Sequence, residues 1–187
     1  EKIDTLKSMG ADLKLVPAKP YKDPDNYVKI SKRLSEEILK NNSSGVIWAN
    51  QFDNIANSRG HYKTTGREIW EQTKGLVDGF VCSSGTGGTI AGVGRALKEK
   101  NKEIKIFLSD PKGSALCNYI KSKELKVEGS SITEGIGSSR ITANFEQAPI
   151  DDAYSIDDTE ALKVLFSLME NEGLFLGTSS GINVAGA

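Results

Sequence analysis

The residues that most clearly indicate chemistry form a glycine-rich stretch, Ser83-Ser84-Gly85-Thr86-Gly87-Gly88-Thr89-Ile90, which we call the glycine loop. An apolar run, Phe80–Cys82, precedes it, and apolar residues spaced three and four apart follow it, at Ile90, Val93 and Leu97. This order predicts a strand, a tight turn and a helix. Glycines let the backbone approach an anion closely, and the first N–H groups of a helix have no partner within the helix. The stretch therefore predicts a phosphate-binding loop.

The glycine loop does not match the common nucleotide-binding motifs. The dinucleotide motif needs a glycine where Ile90 stands, and the nucleoside-triphosphate motif needs a lysine after its last glycine, where Thr89 stands. No basic side chain occurs before Arg95, so the donors would be backbone N–H groups and hydroxyls. Such a site suits one phosphomonoester on a larger cofactor. The alternative is that the glycines serve only the geometry of a tight turn.

The composition is that of an ordinary soluble globular protein. The chain has 187 residues, of which 37% are hydrophobic and 26% charged, with a formal net charge of −1. Balanced, interspersed charge gives no reason to expect a nucleic-acid or membrane surface. Two cysteines and one histidine make neither a disulfide framework nor a zinc site, and a reducing cytoplasm fits this composition. No apolar stretch reaches the length of a membrane span.

The elements that must position the glycine loop alternate between strands and helices. Strands are predicted at 13–16, 45–49, 77–82 and 104–108. Helices are predicted at 2–9, 24–39 with Asp23 as N-cap, 64–73, 88–98, 115–120, and 157–168 with a capping box from Asp157 and Glu160. This alternation predicts a three-layer α/β fold with a largely parallel sheet flanked by helices.

Two irregular stretches are further candidates for function. The first, 127–149, is long and contains three glycines, and a loop of this length inside a compact domain is usually functional or a lid. The second is a turn rich in glycine and serine at 173–181. Taken alone, Ser179 in that turn is favoured as the N-cap of a helix near the end of the sequence.

Several separated motifs together resemble the fold-type-II pyridoxal-phosphate enzymes of the cysteine synthase (O-acetylserine sulfhydrylase) group. The resemblance covers essentially the whole sequence, and the spacing between the motifs agrees with it. It is carried by Asn50–Asn54 with Ala56 and Asn57, His61–Trp70, Gly85–Thr89, Thr133–Gly137 and Gly177–Gly181. It implies a tryptophan synthase β-like fold, here incomplete. Residues 1–50 would belong to a smaller N-terminal domain and residues 51–187 to a larger cofactor-binding domain, both truncated.

The resemblance also implies the cofactor, pyridoxal 5′-phosphate, and the residues that bind it. The glycine loop would hold its phosphate, and Ser179 would hydrogen-bond its pyridine nitrogen. A neutral hydroxyl stabilises a protonated ring less than a carboxylate does, which favours β-elimination. The implied cofactor-binding residues are Gly85, Thr86, Gly87, Gly88, Thr89 and Ser179.

The substrate-binding residues implied by the resemblance are Gln51, Gly135 and Ile136. Gln51 matches the family glutamine that helps bind the substrate carboxylate, and the other two match the loop beside the substrate cleft. Taken alone, Gln51 is more simply a loop residue and the second segment an ordinary turn. His61, the single histidine, is a possible general base, but its place in the family pattern favours a structural role.

The sequence departs from the family pattern in one important respect. In the family, the lysine that forms the Schiff base with the cofactor lies upstream of the position matched by Glu1. Lys63, Lys74 and Lys98 match helix or surface positions instead. We therefore expect this chain to be an internal segment of a longer enzyme, with no catalytic residue and no metal site of its own.

The function implied by the resemblance is that of a cysteine synthase, a transferase that makes L-cysteine from O-acetyl-L-serine and sulfide. The alternatives are cystathionine β-synthase or another β-eliminating relative, and a non-catalytic homologue without the lysine. Ile90 disfavours a dinucleotide-binding module. By the same resemblance we expect a cytoplasmic homodimer that binds no nucleic acid or membrane. Some family members bind the C-terminal tail of serine acetyltransferase, which is a candidate partner.

Overall fold

A computed structural model gives the architecture and describes residues 2–41 and 44–187. The chain divides into two compact units, one comprising the residues up to Asn50 and the other Gln51–Ala187. Within the described residues, the glycine loop and all of the strands belong to the second unit. The second unit therefore contains the features that position the predicted phosphate site.

The first unit contains two helices, α1 (Lys2–Ser8) and α2 (Tyr27–Asn41). α2 begins later than predicted, because Asn26 rather than Asp23 caps it. The side-chain oxygen of Asn26 accepts a hydrogen bond from the backbone N–H of Val28 at 3.0 Å. The helix was therefore predicted correctly, but its first residue is Tyr27 and not residue 24 as predicted.

The two strands predicted in the first unit, at 13–16 and 45–49, are wrong, because both segments are irregular. A strand is defined by hydrogen bonds to a neighbouring strand. Among residues 2–41 and 44–50 neither segment has such a neighbour. Leu15 and Ile47 are accordingly 67% and 97% exposed. An apolar pattern is thus insufficient evidence for a strand here.

The second unit is built on a parallel sheet, as the alternation predicted. Its strands are β1 (Gly79–Cys82), β2 (Lys105–Pro111) and β3 (Asp152–Ile156), and they lie side by side in that order. In the register of the first pair, Cys82 lies beside Leu108. β3 has no counterpart among the predicted strands, because its Asp-Ala-Tyr-Ser-Ile sequence mixes acidic, small and apolar residues. The fold class is confirmed, and one strand is added to it.

The helices of the second unit pack around this sheet. They are α3 (Ala56–Lys63), α4 (Thr65–Gln72), α5 (Gly88–Lys100), α6 (Leu116–Ser122), α7 (Asp158–Glu172) and α8 (Thr178–Gly186). α7 begins with the predicted capping box, in which Asp157 accepts from Thr159 N–H at 2.9 Å. α3 has no counterpart among the predicted helices; it packs closely on α5, where Gly92 leaves room for its backbone.

The main core lies between α5 and the sheet, as the spacing of Ile90, Val93 and Leu97 predicted. All three side chains are fully buried, and they pack in one cluster with Ile106 and Leu108 of β2. This packing fixes α5 directly after the carboxyl end of β1. Open parallel sheets bind ligands at that edge, so the core holds the glycine loop where a ligand would be expected.

Candidate functional site

The glycine loop connects β1 to α5, as predicted. Gly87 is the N-cap residue of α5, and its φ of +84° favours glycine. A Cβ on Gly88 would overlap the Asn57 side chain, and a Cβ on Gly85 would overlap the carbonyl oxygen of Gly135. Packing therefore requires these glycines whether or not an anion binds. The geometry of the turn and the binding of an anion can therefore both account for glycine at these positions.

The turn leaves a series of backbone donors without protein acceptors. Among residues 2–41 and 44–187, no acceptor pairs with the backbone N–H groups of Gly85, Thr86, Gly87, Thr89 and Ile90. By contrast, the Gly88 N–H donates to Thr86 Oγ1 at 3.2 Å. Unpaired N–H groups at a helix N-terminus attract an anion. This part of the structure therefore fits a phosphate group.

The Thr86 hydroxyl is fixed as a donor. Its oxygen accepts from the Gly88 N–H and from Asn57 Nδ2 at 3.0 Å, which together use both of its lone pairs. The orientation of the Asn57 amide is certain, because Nδ2 also donates to the Gln51 carbonyl at 2.8 Å, and a carbonyl can only accept. In the described part of the chain the Thr86 hydrogen has no acceptor, which leaves it available to a phosphate oxygen.

His61 lies beside the glycine loop between two hydroxyl groups. Its Nε2 is 3.2 Å from Thr89 Oγ1, and its Nδ1 is 3.0 Å from Thr65 Oγ1. The three residues belong to α3, α4 and α5. A general base needs a ring nitrogen that can reach a substrate proton, and both nitrogens of His61 are engaged by helix side chains.

Ser179 lies in the first turn of α8 and is not its N-cap. The N-cap is Gly177, and the helix begins at Thr178, so the capping interpretation of Ser179 is wrong. The Ser179 carbonyl accepts from Asn183. Its half-buried hydroxyl pairs with no residue among 2–41 and 44–187 and remains available to a ligand.

Asn183 joins the turn that carries Ser179 to the start of the glycine loop. Its Oδ1 accepts from the Ser83 N–H at 2.6 Å. Its Nδ2 donates to Ser83 Oγ at 3.0 Å and to the Ser179 carbonyl at 2.8 Å. The spacing between the loop and Ser179 is therefore fixed by one side chain. Sequence reasoning missed Asn183, although an amide between the apolar Ile182 and Val184 was an available signal.

The segment 51–54, which contains Gln51, is held by the fully buried side chain of Asn144. Asn144 Nδ2 donates to three carbonyls of that segment at 2.8 to 3.2 Å, and its Oδ1 accepts from the Ser58 N–H at 3.1 Å. The Gln51 side chain itself is exposed. Asn144 was also missed, because a single polar residue in an irregular stretch has no periodic signal.

The long stretch 127–149 is tied to two other parts of the site. Arg140 contacts both carboxylate oxygens of Asp53 at 2.9 and 3.0 Å, and the Ala143 N–H donates to Asp53 Oδ1 at 3.0 Å. The hydrogen bonds from Arg140 lower the pKa of Asp53, although partial burial acts in the opposite direction. In addition, the Gly137 N–H donates to the Ser84 carbonyl at 2.8 Å. The stretch is thus bonded to the glycine loop and to the segment 51–54.

Gly135 and Ile136 lie next to the glycine loop. The carbonyl of Gly135 occupies the space that a Cβ on Gly85 would need. Ile136 is half-buried and packs against a small apolar cluster formed by Ile156, Ala161 and Ile182. The structure therefore brings the predicted substrate loop and the predicted phosphate loop together.

Two ionisable groups lie near the carboxyl edge of the sheet. Burial raises the pKa of Cys82 to about 12, so this free thiol stays protonated. Burial also raises the pKa of Asp110 to about 6, opposed by the hydrogen bond from the Cys117 N–H at 2.8 Å. The second oxygen of Asp110 is buried without a partner in the described residues.

The three lysines considered as Schiff-base candidates occupy helix or surface positions. Lys63 is the exposed last residue of α3, and Lys74 is exposed after the end of α4. Lys98 pairs with Asp151 at 2.8 Å, within the last turns of α5. These positions agree with the matches assigned from the sequence.

Comparison with known proteins identifies the class. The model of the pyridoxal-phosphate dependent enzyme family matches residues 1–187, and the chain belongs to that family. Cysteine synthase 1 of Neurospora crassa is 46% identical over 191 residues, a match that covers 100% of this chain and 50% of that protein. Cysteine synthase 1 of Emericella nidulans is 44% identical with the same coverage.

A second group of relatives is less similar. Cystathionine beta-synthase of Apis mellifera is 37% identical over 182 residues, covering 97% of this chain and 35% of that protein. The chain spans about half the length of the cysteine synthases it matches. Among the described residues, none of the helices is both long enough and apolar enough to cross a membrane.

Proposed function

We propose that the protein containing this chain is a pyridoxal-phosphate dependent cysteine synthase that converts O-acetyl-L-serine and sulfide to L-cysteine and acetate. The observation that carries the proposal is the phosphate-compatible glycine loop, in which Thr86 is a fixed donor beside unpaired backbone N–H groups. The identity to two cysteine synthases supports the choice of reaction.

The cofactor would be held at two places. Gly85, Thr86, Gly87, Gly88 and Thr89 would bind its phosphate through backbone N–H groups and hydroxyls. Ser179 would hydrogen-bond its ring nitrogen with a neutral hydroxyl, and Asn183 would keep that hydroxyl at a set distance from the loop. When bound, pyridoxal phosphate supplies an electron sink for the bonds at the substrate α-carbon. A neutral partner on the ring favours elimination and replacement at the β-carbon.

The substrate would lie between the segment 51–54 and the loop at Gly135. The exposed amide of Gln51 would bind the substrate carboxylate, and Asn144 would hold the backbone of that segment in place. Ile136 would contribute through its main chain, because its side chain packs into an apolar cluster. Gly135 has no side chain that would obstruct the substrate or a closing domain.

The reaction is tested by supplying the full-length protein with O-acetyl-L-serine and sulfide. We expect L-cysteine and acetate in equal amounts. The relative from Apis mellifera gives a second candidate, cystathionine formation from serine and homocysteine. A higher kcat/KM with homocysteine than with sulfide would replace the first proposal by the second. Binding of the cofactor without any replacement reaction would instead indicate a non-catalytic homologue.

The reacting lysine is proposed to lie outside residues 1–187. Reduction of the loaded protein with borohydride would attach the cofactor irreversibly to that lysine, and peptide mass spectrometry would locate it. A modified Lys63, Lys74 or Lys98 would contradict the proposal.

We also propose that the protein is a homodimer and that it is cytoplasmic. Residues 1–50 would belong to a smaller domain and residues 51–187 to a larger cofactor-binding domain of a cytoplasmic homodimer. Sedimentation of the full-length protein should give twice the mass of one chain. The C-terminal tail of serine acetyltransferase is a proposed partner, and a peptide of that tail should compete with O-acetyl-L-serine.

A further inference from the structure

His61 and its two hydroxyl neighbours form a hydrogen-bonded series that ends at the glycine loop. We propose that His61 is a positioning residue that fixes the Thr89 hydroxyl as a donor to the cofactor phosphate. In this arrangement Thr65 O–H donates to Nδ1, Nε2–H donates to Thr89 Oγ1, and Thr89 O–H points to the phosphate. The inference rests on the proposed function, because the direction of the hydrogen bond between His61 and Thr89 has an effect only when a phosphate is bound.

Two neutral tautomers of His61 are compatible with the observed distances of 3.0 and 3.2 Å. With the proton on Nδ1, Thr89 would have to donate to Nε2, and its oxygen would present lone pairs to the bound anion. With the proton on Nε2, Thr89 accepts from the ring, and its hydrogen is free for the anion. Only the second tautomer gives an attractive contact with a phosphate oxygen.

Thr86 provides an independent precedent in the same loop. Its oxygen is already saturated by two donors, Asn57 Nδ2 and Gly88 N–H, so its hydrogen is forced outward. His61 would impose the same polarity on Thr89. Both hydroxyls would then act as donors, which is the arrangement that an oxyanion requires.

The absence of a cation in the glycine loop makes each neutral donor important. Arg95, the first basic residue after the loop, lies over the Tyr62 ring at 5.4 Å and donates to Gln147 at 3.0 Å. With no basic side chain between Ser83 and Ile90, hydroxyls and backbone N–H groups carry the attraction for the phosphate.

The position of His61 is fixed by the close packing of three helices. A Cβ on Gly92 of α5 would approach the His61 Cβ to 2.6 Å, and a Cβ on Gly66 of α4 would approach the Ala96 Cβ to 2.6 Å. Both glycines therefore allow α3 and α4 to contact α5 directly. A ring held in this way can determine the direction of a hydrogen bond without entering the site.

The tautomer is tested directly by nitrogen NMR on the full-length protein with labelled histidine and bound pyridoxal phosphate. A His61→Gln sample assigns the His61 signals by their loss. We expect the neutral ring to carry its proton on Nε2. A proton on Nδ1 in the phosphate-bound protein would overturn the inference.

Binding measurements provide a second test. Affinities for pyridoxal phosphate and for pyridoxal, which lacks the phosphate, are compared between the wild type and variants. His61→Leu should weaken pyridoxal phosphate binding about tenfold and leave pyridoxal binding unchanged, since one charge-assisted hydrogen bond is lost. His61→Gln, which keeps a donor near the Nε2 position, should restore most of the affinity. Thr89→Val should reproduce the loss, and Thr89→Ser should not.

These measurements separate the inference from the proposal on which it rests. If the wild type binds pyridoxal phosphate no better than pyridoxal, the proposed phosphate site is wrong. Another outcome is that the wild type prefers pyridoxal phosphate to pyridoxal and that the variants Thr89→Val and His61→Leu show the same preference. In that case the proposed phosphate site stands and the proposed role of His61 is wrong. An equal loss of affinity for both ligands would indicate a purely structural role for His61 and would also overturn the inference.

Discussion

The glycine loop and a second turn, Gly173–Gly177, both contain glycines, but the structure uses these glycines differently. A Cβ on Gly85, Gly87 or Gly88 would overlap a neighbouring segment. Among the described residues, nothing lies within 4 Å of a Cβ on Gly173 or Gly177. Gly173, with a φ of +68°, ends α7. The glycine loop is therefore closely packed against several other segments. The second turn ends α7 and has free space beside its glycines.

The difference teaches how a glycine-rich turn becomes a binding site. In the glycine loop, close contacts with Asn57 and the segment 134–145 fix the backbone, and hydrogen bonds from Asn57 and Asn183 fix the side chains. The result is a set of donors that have no acceptor among residues 2–41 and 44–187. In the second turn, Phe175 is 88% exposed, and among the described residues no other segment lies close enough to a Cβ on Gly173 or Gly177 to fix the backbone.

The largest effect is expected for Gly87→Ala. The new Cβ would lie about 2.5 Å from the backbone of Phe145, and the φ of +84° would be strained. We expect a loss of about 4 kcal/mol in the free energy of unfolding, from overpacking and backbone strain together. Urea denaturation measures it. A loss below about 1 kcal/mol would show that the loop is not closely packed against other segments.

The next effect concerns Asp110, which lies at the same edge of the sheet as the glycine loop. Its pKa of about 6 in the folded protein is above the value of about 4 in the unfolded chain. At Asp110 the folded state therefore binds more protons between these values, so the contribution of this group to stability is greatest below about pH 4 and is lost as pH rises through 6. The change should be about 3 kcal/mol. Urea denaturation of the wild type and Asp110→Asn across this range measures it as the difference between the two pH profiles; identical profiles would contradict the assignment.

A smaller effect is expected for Asn144→Ala. The substitution removes one donor from each of three carbonyls of the segment 51–54 and the acceptor of the Ser58 N–H, although the Gln51 and Asn54 carbonyls keep hydrogen bonds from Asn57. We expect about 2 kcal/mol of destabilisation, because water can reach part of this segment. KM for O-acetyl-L-serine should rise more than kcat falls, since Gln51 is proposed to bind its carboxylate. An unchanged KM would separate Asn144 from the substrate site.

The smallest effect is expected for Gly177→Ala, the matched control for Gly87→Ala. Its φ of −79° is accessible to any residue, and there is open space beside it. The gain from reduced freedom of the unfolded chain and the loss of a preferred N-cap residue should leave stability within about 1 kcal/mol of the wild type. A loss as large as that of Gly87→Ala would remove the distinction between the two turns.

The sequence predicted the parts of the fold that depend on local pattern. The strand, glycine loop and helix around Ser83–Ile90 were predicted, as was the capping box at Asp157. The predicted strands at 13–16 and 45–49 were wrong, because a strand depends on a partner that local pattern does not reveal. β3 was missed for the opposite reason. Its hydrogen bonds with β2 stabilise a strand whose residues do not alternate clearly between apolar and polar.

The site was predictable only where a motif marks it. The glycine loop and Ser179 were predicted as site residues from motifs, but Asn144 and Asn183 were not. Each of these two residues acts through contacts with segments about 90 or 100 positions away. No spacing rule connects such distant residues, and only the folded chain shows that they hold the site together.

The most direct test of the central claim is a crystal structure of the full-length protein with pyridoxal phosphate. We expect the phosphate at the glycine loop, with Thr86 Oγ1 donating to a phosphate oxygen at about 2.7 Å and backbone N–H groups of Gly85–Thr89 donating to the others. A phosphate bound elsewhere would contradict the account. One such place is the polar cavity of about 380 Å³ lined by Lys112, Ser131 and Thr133.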